Sequence, residues 1–138
     1  MQPKGESKIT KPKILIIDDD DDLVAAMKMV LEHNSYQVVS ASSGTEGLIK
    51  AKNGNPDLVI LDVMMETSDS GFEVARKIRG EAGIAKVPIL MVTAIKEKTG
   101  FDFSKEAGDK AWLPVDNYLE KPIRPDELVS KVAKLLNK

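Results

Sequence analysis

The chain alternates short apolar runs with segments of helical periodicity, and this alternation constrains its fold more than any other feature. Unbroken runs of β-prone residues at 14–17 and 58–61 are typical of strands buried on both faces of a parallel sheet. Three further runs, at 36–41, 87–92 and 118–120, complete the set of predicted strands. Strands that alternate with helices predict an α/β fold, with helices on both faces of the sheet and right-handed crossovers.

The helical segments between these runs carry recognisable start signals. Ser43 with Glu46, and Ser70 with Glu73, have the spacing of a capping box, in which each side chain binds a backbone amide of the first turn. Pro125 followed by two acids opens the last helix. The predicted helices follow the aspartates at 18–22, start at 43, 70 and 125, and include a further segment at 104–111.

Length and composition exclude several classes of protein. The 138 residues suit one domain, expected at 13–138 after a flexible polar tail at 1–12. Twenty basic and 22 acidic residues give a net charge of -2, which makes no general case for nucleic-acid binding. The absence of cysteine excludes disulfides, thiolate-bound zinc and a thiol nucleophile, and His33 is the only histidine. Without a long apolar run or a signal-peptide core, we expect a cytoplasmic protein that does not insert into membranes.

Polar residues directly follow four of the predicted strands. Parallel strands end at the same edge of the sheet, so their side chains are expected to meet there. Crowded carboxylates repel one another unless a cation intervenes, and a site of oxygen ligands suits Mg²⁺, which often also binds phosphate oxygens. The sequence therefore predicts a magnesium and phosphoryl site formed by Asp18, Asp19, Asp62, Thr93 and Lys121.

These strand ends, taken in order, resemble the receiver domain of two-component response regulators over residues 13–136. The resemblance rests on the paired acids Asp18 and Asp19, on Asp62, on Thr93-Ala94, and on Lys121-Pro122, each following an apolar run. It implies a doubly wound (βα)5, flavodoxin-like, three-layer sandwich with a five-stranded parallel sheet in the order 2-1-3-4-5. It also implies a cis bond between Lys121 and Pro122.

The resemblance implies roles for the residues of the site. Asp62 would accept a phosphoryl group from a sensor histidine kinase, a phosphotransfer protein or a small phosphodonor. Asp19 and Asp62 would hold Mg²⁺ directly, Asp18 through water, and Met64 through its backbone carbonyl. Lys121, the Thr93 hydroxyl and the backbone amide of Ala94 would neutralise the phosphoryl group. Thr93 and Tyr118 would then move, changing the surface near strands 4 and 5 for a downstream protein partner.

The segment at 96–116 is longer than is usual in this family and contains Phe101, Phe103 and Trp112. One hypothesis is a variant partner-binding surface, since exposed aromatic clusters tend to mark interfaces. The alternative is a connection whose aromatics cover the sheet edge. The loop after Asp62 also departs from the family pattern, because it lacks a proline and carries about one extra residue.

Two other functions compete with the receiver interpretation. A Mg²⁺-dependent phosphohydrolase could use Asp62 as its nucleophile, but Met64 occupies the position where a common family of such enzymes has its acid. A flavin-binding module of the same strand order is disfavoured by the acidic loop after the first strand. The five aspartates at 18–22 could also be a solvated turn with a helix cap. Because the chain ends with the last helix, we expect a stand-alone receiver, although an excised domain would have the same sequence. The sequence predicts no particular oligomeric state.

Overall fold

The computed structural model describes residues 11–62, 70–93 and 115–136. All strands are parallel and lie in the order β2-β1-β3-β4-β5, which confirms the predicted fold class. The predicted helix at 104–111 and most of the predicted tail lie outside the described residues. The strands are β1 (Lys13–Ile17), β2 (Gln37–Ala41), β3 (Leu58–Asp62), β4 (Ile89–Thr93) and β5 (Asn117–Glu120), and the described helices are α1 (Asp21–His33), α2 (Gly44–Gly54), α3 (Ser70–Arg79) and α4 (Pro125–Leu136).

Two strands begin later than the apolar pattern predicts. β2 begins at Gln37 because the Tyr36 amide donates to Leu31 O at 3.1 Å and so belongs to the turn that ends α1. β4 begins at Ile89, two residues after the predicted start, because the Val87 amide closes a turn onto Ile84 O and Pro88 has no amide to donate. Apolar composition marks the strand but not the residue at which pairing starts.

Alternate side chains of the sheet face two separate apolar clusters, which makes three layers. On one face, Ile14, Ile16, Leu58, Ile60, Leu90 and Val92 pack with Met27 and Leu31 of α1 and with Leu128 and Val132 of α4. On the other, Leu15, Ile17, Val59, Leu61, Ile89 and Met91 pack with Ala51 of α2 and with Val74, Ala75 and Ile78 of α3. β3 and β4 are buried along their whole length, as expected for interior strands. No described helix has the length and hydropathy needed to span a bilayer.

Helix α2 lies so close to β1 that Gly47 has no room for a side chain. A Cβ there would lie 2.5 Å from Ile17 Cδ1. Alanine normally stabilises a helix by about 1 kcal/mol relative to glycine, but overpacking a core costs about 1–3 kcal/mol. We therefore expect Gly47→Ala to lower the free energy of unfolding by about 1 kcal/mol in urea titrations. Gly83→Ala is the control, because nothing lies within 4 Å of its Cβ position. Unchanged or increased stability in Gly47→Ala would show that α2 packs less closely.

Candidate functional site

Backbone pairing brings the polar strand ends to one edge of the sheet. The Asp18 amide continues the ladder beyond β1 by donating to Ala41 O at 3.0 Å. Asp62 is the last residue of β3 and lies opposite Val92 of β4. Beyond the end of β4, the Lys121 amide donates to Thr93 O at 2.7 Å, which fixes where the lysine side chain starts. Pairing among β1, β3, β4 and β5 therefore holds these residues at one edge of the sheet.

Three carboxylates converge at this edge. One oxygen from each of Asp18, Asp19 and Asp62 lies within 4.8 Å of the others. Asp18 and Asp62 are 2% and 3% exposed, whereas Asp19 is open to solvent. The Lys121 Nζ lies 3.6 Å from Asp62 Oδ2, and fully buried Thr93 ends the next strand. The three acids and Lys121 therefore lie together, and Thr93 lies at the end of the strand next to Asp62. The cluster of Asp18, Asp19, Asp62 and Lys121, hereafter the acidic site, combines three acids with one ammonium.

Asp18 is in an environment that disfavours its charge. Burial raises the pKa of its carboxyl to about 7. The amide of Asp20, which donates to Asp18 Oδ1 at 2.9 Å, opposes that rise in pKa, and the neighbouring charge of Asp62 adds to it. The other oxygen, Oδ2, is buried and accepts no hydrogen bond within the described part of the chain. The acidic site therefore favours a proton or a cation at Asp18.

The donor set fits a hard divalent cation. Mg²⁺ prefers carboxylate oxygens and keeps several waters, and the acidic site offers two buried acids beside one that faces solvent. Asp18 Oδ2 accepts no hydrogen bond from the described residues, so a cation or a water bound to it would be a suitable partner for this oxygen. Asp18, Asp19 and Asp62 are therefore suited to Mg²⁺. The predicted backbone contributions of Met64 and Ala94 lie outside the described residues.

The run of five aspartates has two separate uses. Asp18 and Asp19 belong to the acidic site, whereas Asp20 caps α1 by accepting a hydrogen bond from the Leu23 amide at 3.2 Å. Asp21 and Asp22 are exposed in the first helical turn, where the helix dipole favours negative charge. The run therefore contributes two carboxylates to the acidic site and a third, Asp20, to the cap of α1.

Tyr118 lies on β5, the edge strand, and its half-buried ring packs against the α2 and α3 side of the core. Its carbonyl accepts a hydrogen bond from Lys131 Nζ at 2.6 Å, and the same ammonium lies 5.1 Å from the ring centroid. The predicted cis bond between Lys121 and Pro122 is present. Sequence reasoning missed the Lys131 contact, because two residues 13 positions apart meet only through the placement of α4.

Sequence and structure comparisons agree on one family. The model of the response regulator receiver domain matches residues 14–133. The transcriptional regulatory protein PhoP of Bacillus subtilis is 38% identical over 91% of this chain and 49% of its own length. RpaA of Synechocystis, a DNA-binding transcriptional regulator, is 36% identical over 92% of this chain and 50% of its own length. The chain thus spans about half the length of the curated relatives it matches.

Solved structures show the same architecture. The chemotaxis response regulator CheY4 of Vibrio cholerae superposes with a TM-score of 0.79 at 30% identity, covering 92% of this chain and all of that one. The receiver domain of the Francisella response regulator 1452 gives a TM-score of 0.77 at 28% identity, covering 92% of this chain and 98% of that one.

Proposed function

Because this chain belongs to the response regulator receiver domain family of two-component signalling, we propose that it is a switch operated by phosphorylation of Asp62. The observation that carries the proposal is the acidic site, in which a buried carboxylate at the end of an interior strand lies beside an ammonium and two more acids. The proposed domain is 13–138, and its only catalysis is its own phosphorylation and dephosphorylation.

In the proposed reaction, an oxygen of Asp62 attacks the phosphorus of the donor. A P–O bond forms to Asp62, and the P–N bond of a phosphohistidine, or the P–O bond of acetyl phosphate, breaks. The leaving imidazole keeps the bonding electrons and takes a proton from solvent, and acetate leaves as the anion. The product is a mixed anhydride on Asp62.

The surrounding residues neutralise the charge of the transferred group. The phosphoryl group spreads negative charge over three oxygens, and the Lys121 ammonium lies 3.6 Å from Asp62 Oδ2, within reach of them. Thr93, at the end of β4, would donate its hydroxyl to one oxygen, and the Ala94 amide would bind another. Mg²⁺, when held by Asp18, Asp19, Asp62 and the Met64 carbonyl, supplies further positive charge at the site.

The proposed partners lie on both sides of this reaction. A sensor histidine kinase or phosphotransfer protein supplies the phosphoryl group in the cytoplasm. Movement of Thr93 and Tyr118 then changes the surface near β4, β5 and residues 96–116, and a downstream protein reads that change. The names of several relatives refer to DNA binding or transcription, but those proteins are about twice as long as this chain. We propose no direct nucleic-acid contact for the residues present here.

Incubation with acetyl phosphate tests the proposed function. With Mg²⁺, the intact mass of the chain should rise by one phosphoryl group, and chelation of the metal should prevent the rise. A phosphohydrolase would behave differently, because it would release many equivalents of phosphate from a generic phosphomonoester without a lasting adduct. Sustained turnover of that kind, or no adduct under any condition, would contradict the switch.

A further inference from the structure

The ammonium of Lys131 is held against Tyr118 by contacts to both the backbone and the ring of that residue. Its Nζ donates to the Tyr118 carbonyl at 2.6 Å and lies 5.1 Å from the ring centroid. Glu127, one turn earlier on α4, lies 3.8 Å from the same nitrogen. The Lys131 side chain is only 24% exposed, so the cation is partly shielded from water where it meets the ring.

The location of these contacts matters because β5 is an edge strand. The Tyr118 amide donates to the side chain of Asn117 at 2.8 Å, while its carbonyl accepts from Lys131. Side chains therefore bind both backbone polar groups of Tyr118 at the open side of the sheet. One lysine thus joins α4 to the backbone of the edge strand and, through its charge, to the face of the ring.

We propose that Lys131 is a positioning residue that favours the ring orientation of Tyr118 seen in this structure, and so opposes the switch to the phosphorylated state. This inference rests on the proposed function, in which Tyr118 changes orientation. A cation within about 6 Å of an aromatic centroid is attracted to the ring face. A ring that turns away from Lys131 gives up that attraction, whereas the hydrogen bond to the carbonyl is independent of the ring.

Three substitutions at Lys131 separate the charge from the hydrogen bond. Lys131→Met removes both, whereas Lys131→Gln removes the charge and retains a neutral donor. Lys131→Arg retains both the charge and donors. The matched control is Lys134→Met, which makes the same charge change at an exposed position on the same helix.

Ring-labelled tyrosine gives a direct readout, because the chain has only two tyrosines. A Tyr36→Phe variant assigns the Tyr118 ring signal in NMR spectra, which are recorded during titration with beryllofluoride and Mg²⁺. In Lys131→Met and Lys131→Gln, the resting Tyr118 signal should move toward its beryllofluoride-bound position. The beryllofluoride concentration at half-saturation should fall about two- to fivefold, the size expected of one cation–ring contact. Lys131→Arg and Lys134→Met should titrate as the wild type does.

Three outcomes would overturn the proposal for Lys131. In the first, beryllofluoride shifts the Tyr118 signal of the wild type, but Lys131→Met and Lys131→Gln reach half-saturation at the same beryllofluoride concentration as the wild type. In the second, Lys131→Gln alone titrates with beryllofluoride as the wild type does. The hydrogen bond to the Tyr118 carbonyl would then be enough to hold the ring without the charge. The third is a change of equal size in Lys134→Met. Failure of the proposed function is distinct, because the wild type would then show neither an adduct at Asp62 nor any response to beryllofluoride.

Discussion

Asp62→Asn should abolish phosphorylation by acetyl phosphate, with no adduct detectable by intact mass under conditions that label the wild type fully. Asparagine has nearly the same shape as aspartate, but it lacks the anionic oxygen that attacks phosphorus. It also removes one of the three acids of the site and the ionic partner of Lys121. Because the nucleophile itself is lost, the effect should be complete rather than graded.

Asp126→Asn is the matched control for this substitution. Asp126 is an exposed aspartate in the first turn of α4, and it pairs with Arg124 at 3.4 Å. It should be phosphorylated at the wild-type rate. Thermal unfolding of Asp62→Asn should remain cooperative, showing that the sheet is intact. An adduct of normal yield in Asp62→Asn would place the nucleophile elsewhere.

Asp18→Asn should change both the pH dependence of stability and the response to Mg²⁺. Folding raises the pKa of Asp18 from 3.8 to about 7. Between pH 3.8 and about pH 7, the folded chain therefore keeps a proton on Asp18 that the unfolded chain releases. The free energy of unfolding of the metal-free wild type should therefore fall as pH rises through this window. Each unit of pKa shift is worth about 1.4 kcal/mol. The metal-free variant should be more stable than the wild type at neutral pH by a few kcal/mol and should lack this dependence.

Magnesium should reverse the effect in the wild type. Above pH 7 the Asp18 carboxyl is ionised, and an ion held by the acidic site would neutralise that charge. Because the ion would bind only the folded state, the melting temperature above pH 7 should rise with Mg²⁺ concentration. Asp18→Asn should lose most of this rise, whereas Asp126→Asn should keep it. Equal stabilisation of Asp18→Asn and the wild type by Mg²⁺ would show that Asp18 does not contribute to the metal site.

The fold and the composition of the acidic site follow from local patterns in the sequence. The runs at 14–17 and 58–61 are interior strands because they are apolar on both faces, and Asp18 and Asp62 mark the ends of those apolar runs. Parallel pairing then forces Asp18, Asp62 and Thr93 together. The metal prediction needed only the residue types at those ends.

Contacts between side chains distant in the sequence could not be predicted in this way. Arg79, at the end of α3, donates to Ala85 O, Val87 O and the Asp116 carboxylate, and so fixes the start of β5. Lys131 binds Tyr118 only because α4 packs beside the sheet edge. Long flexible side chains can reach many partners, and the choice among them depends on how the helices pack. The pKa of Asp18 likewise depends on burial, which a run of five aspartates does not indicate.

Locating the phosphorylated residue tests the central claim most directly. After treatment with acetyl phosphate and Mg²⁺, borohydride reduces an aspartyl phosphate to homoserine, and peptide mapping by mass spectrometry then identifies the altered position. We predict homoserine at position 62 alone, and none when Mg²⁺ is chelated. Homoserine at position 18 or 19, or a labelled chain without homoserine, would contradict the assignment of Asp62 as the phosphoryl acceptor.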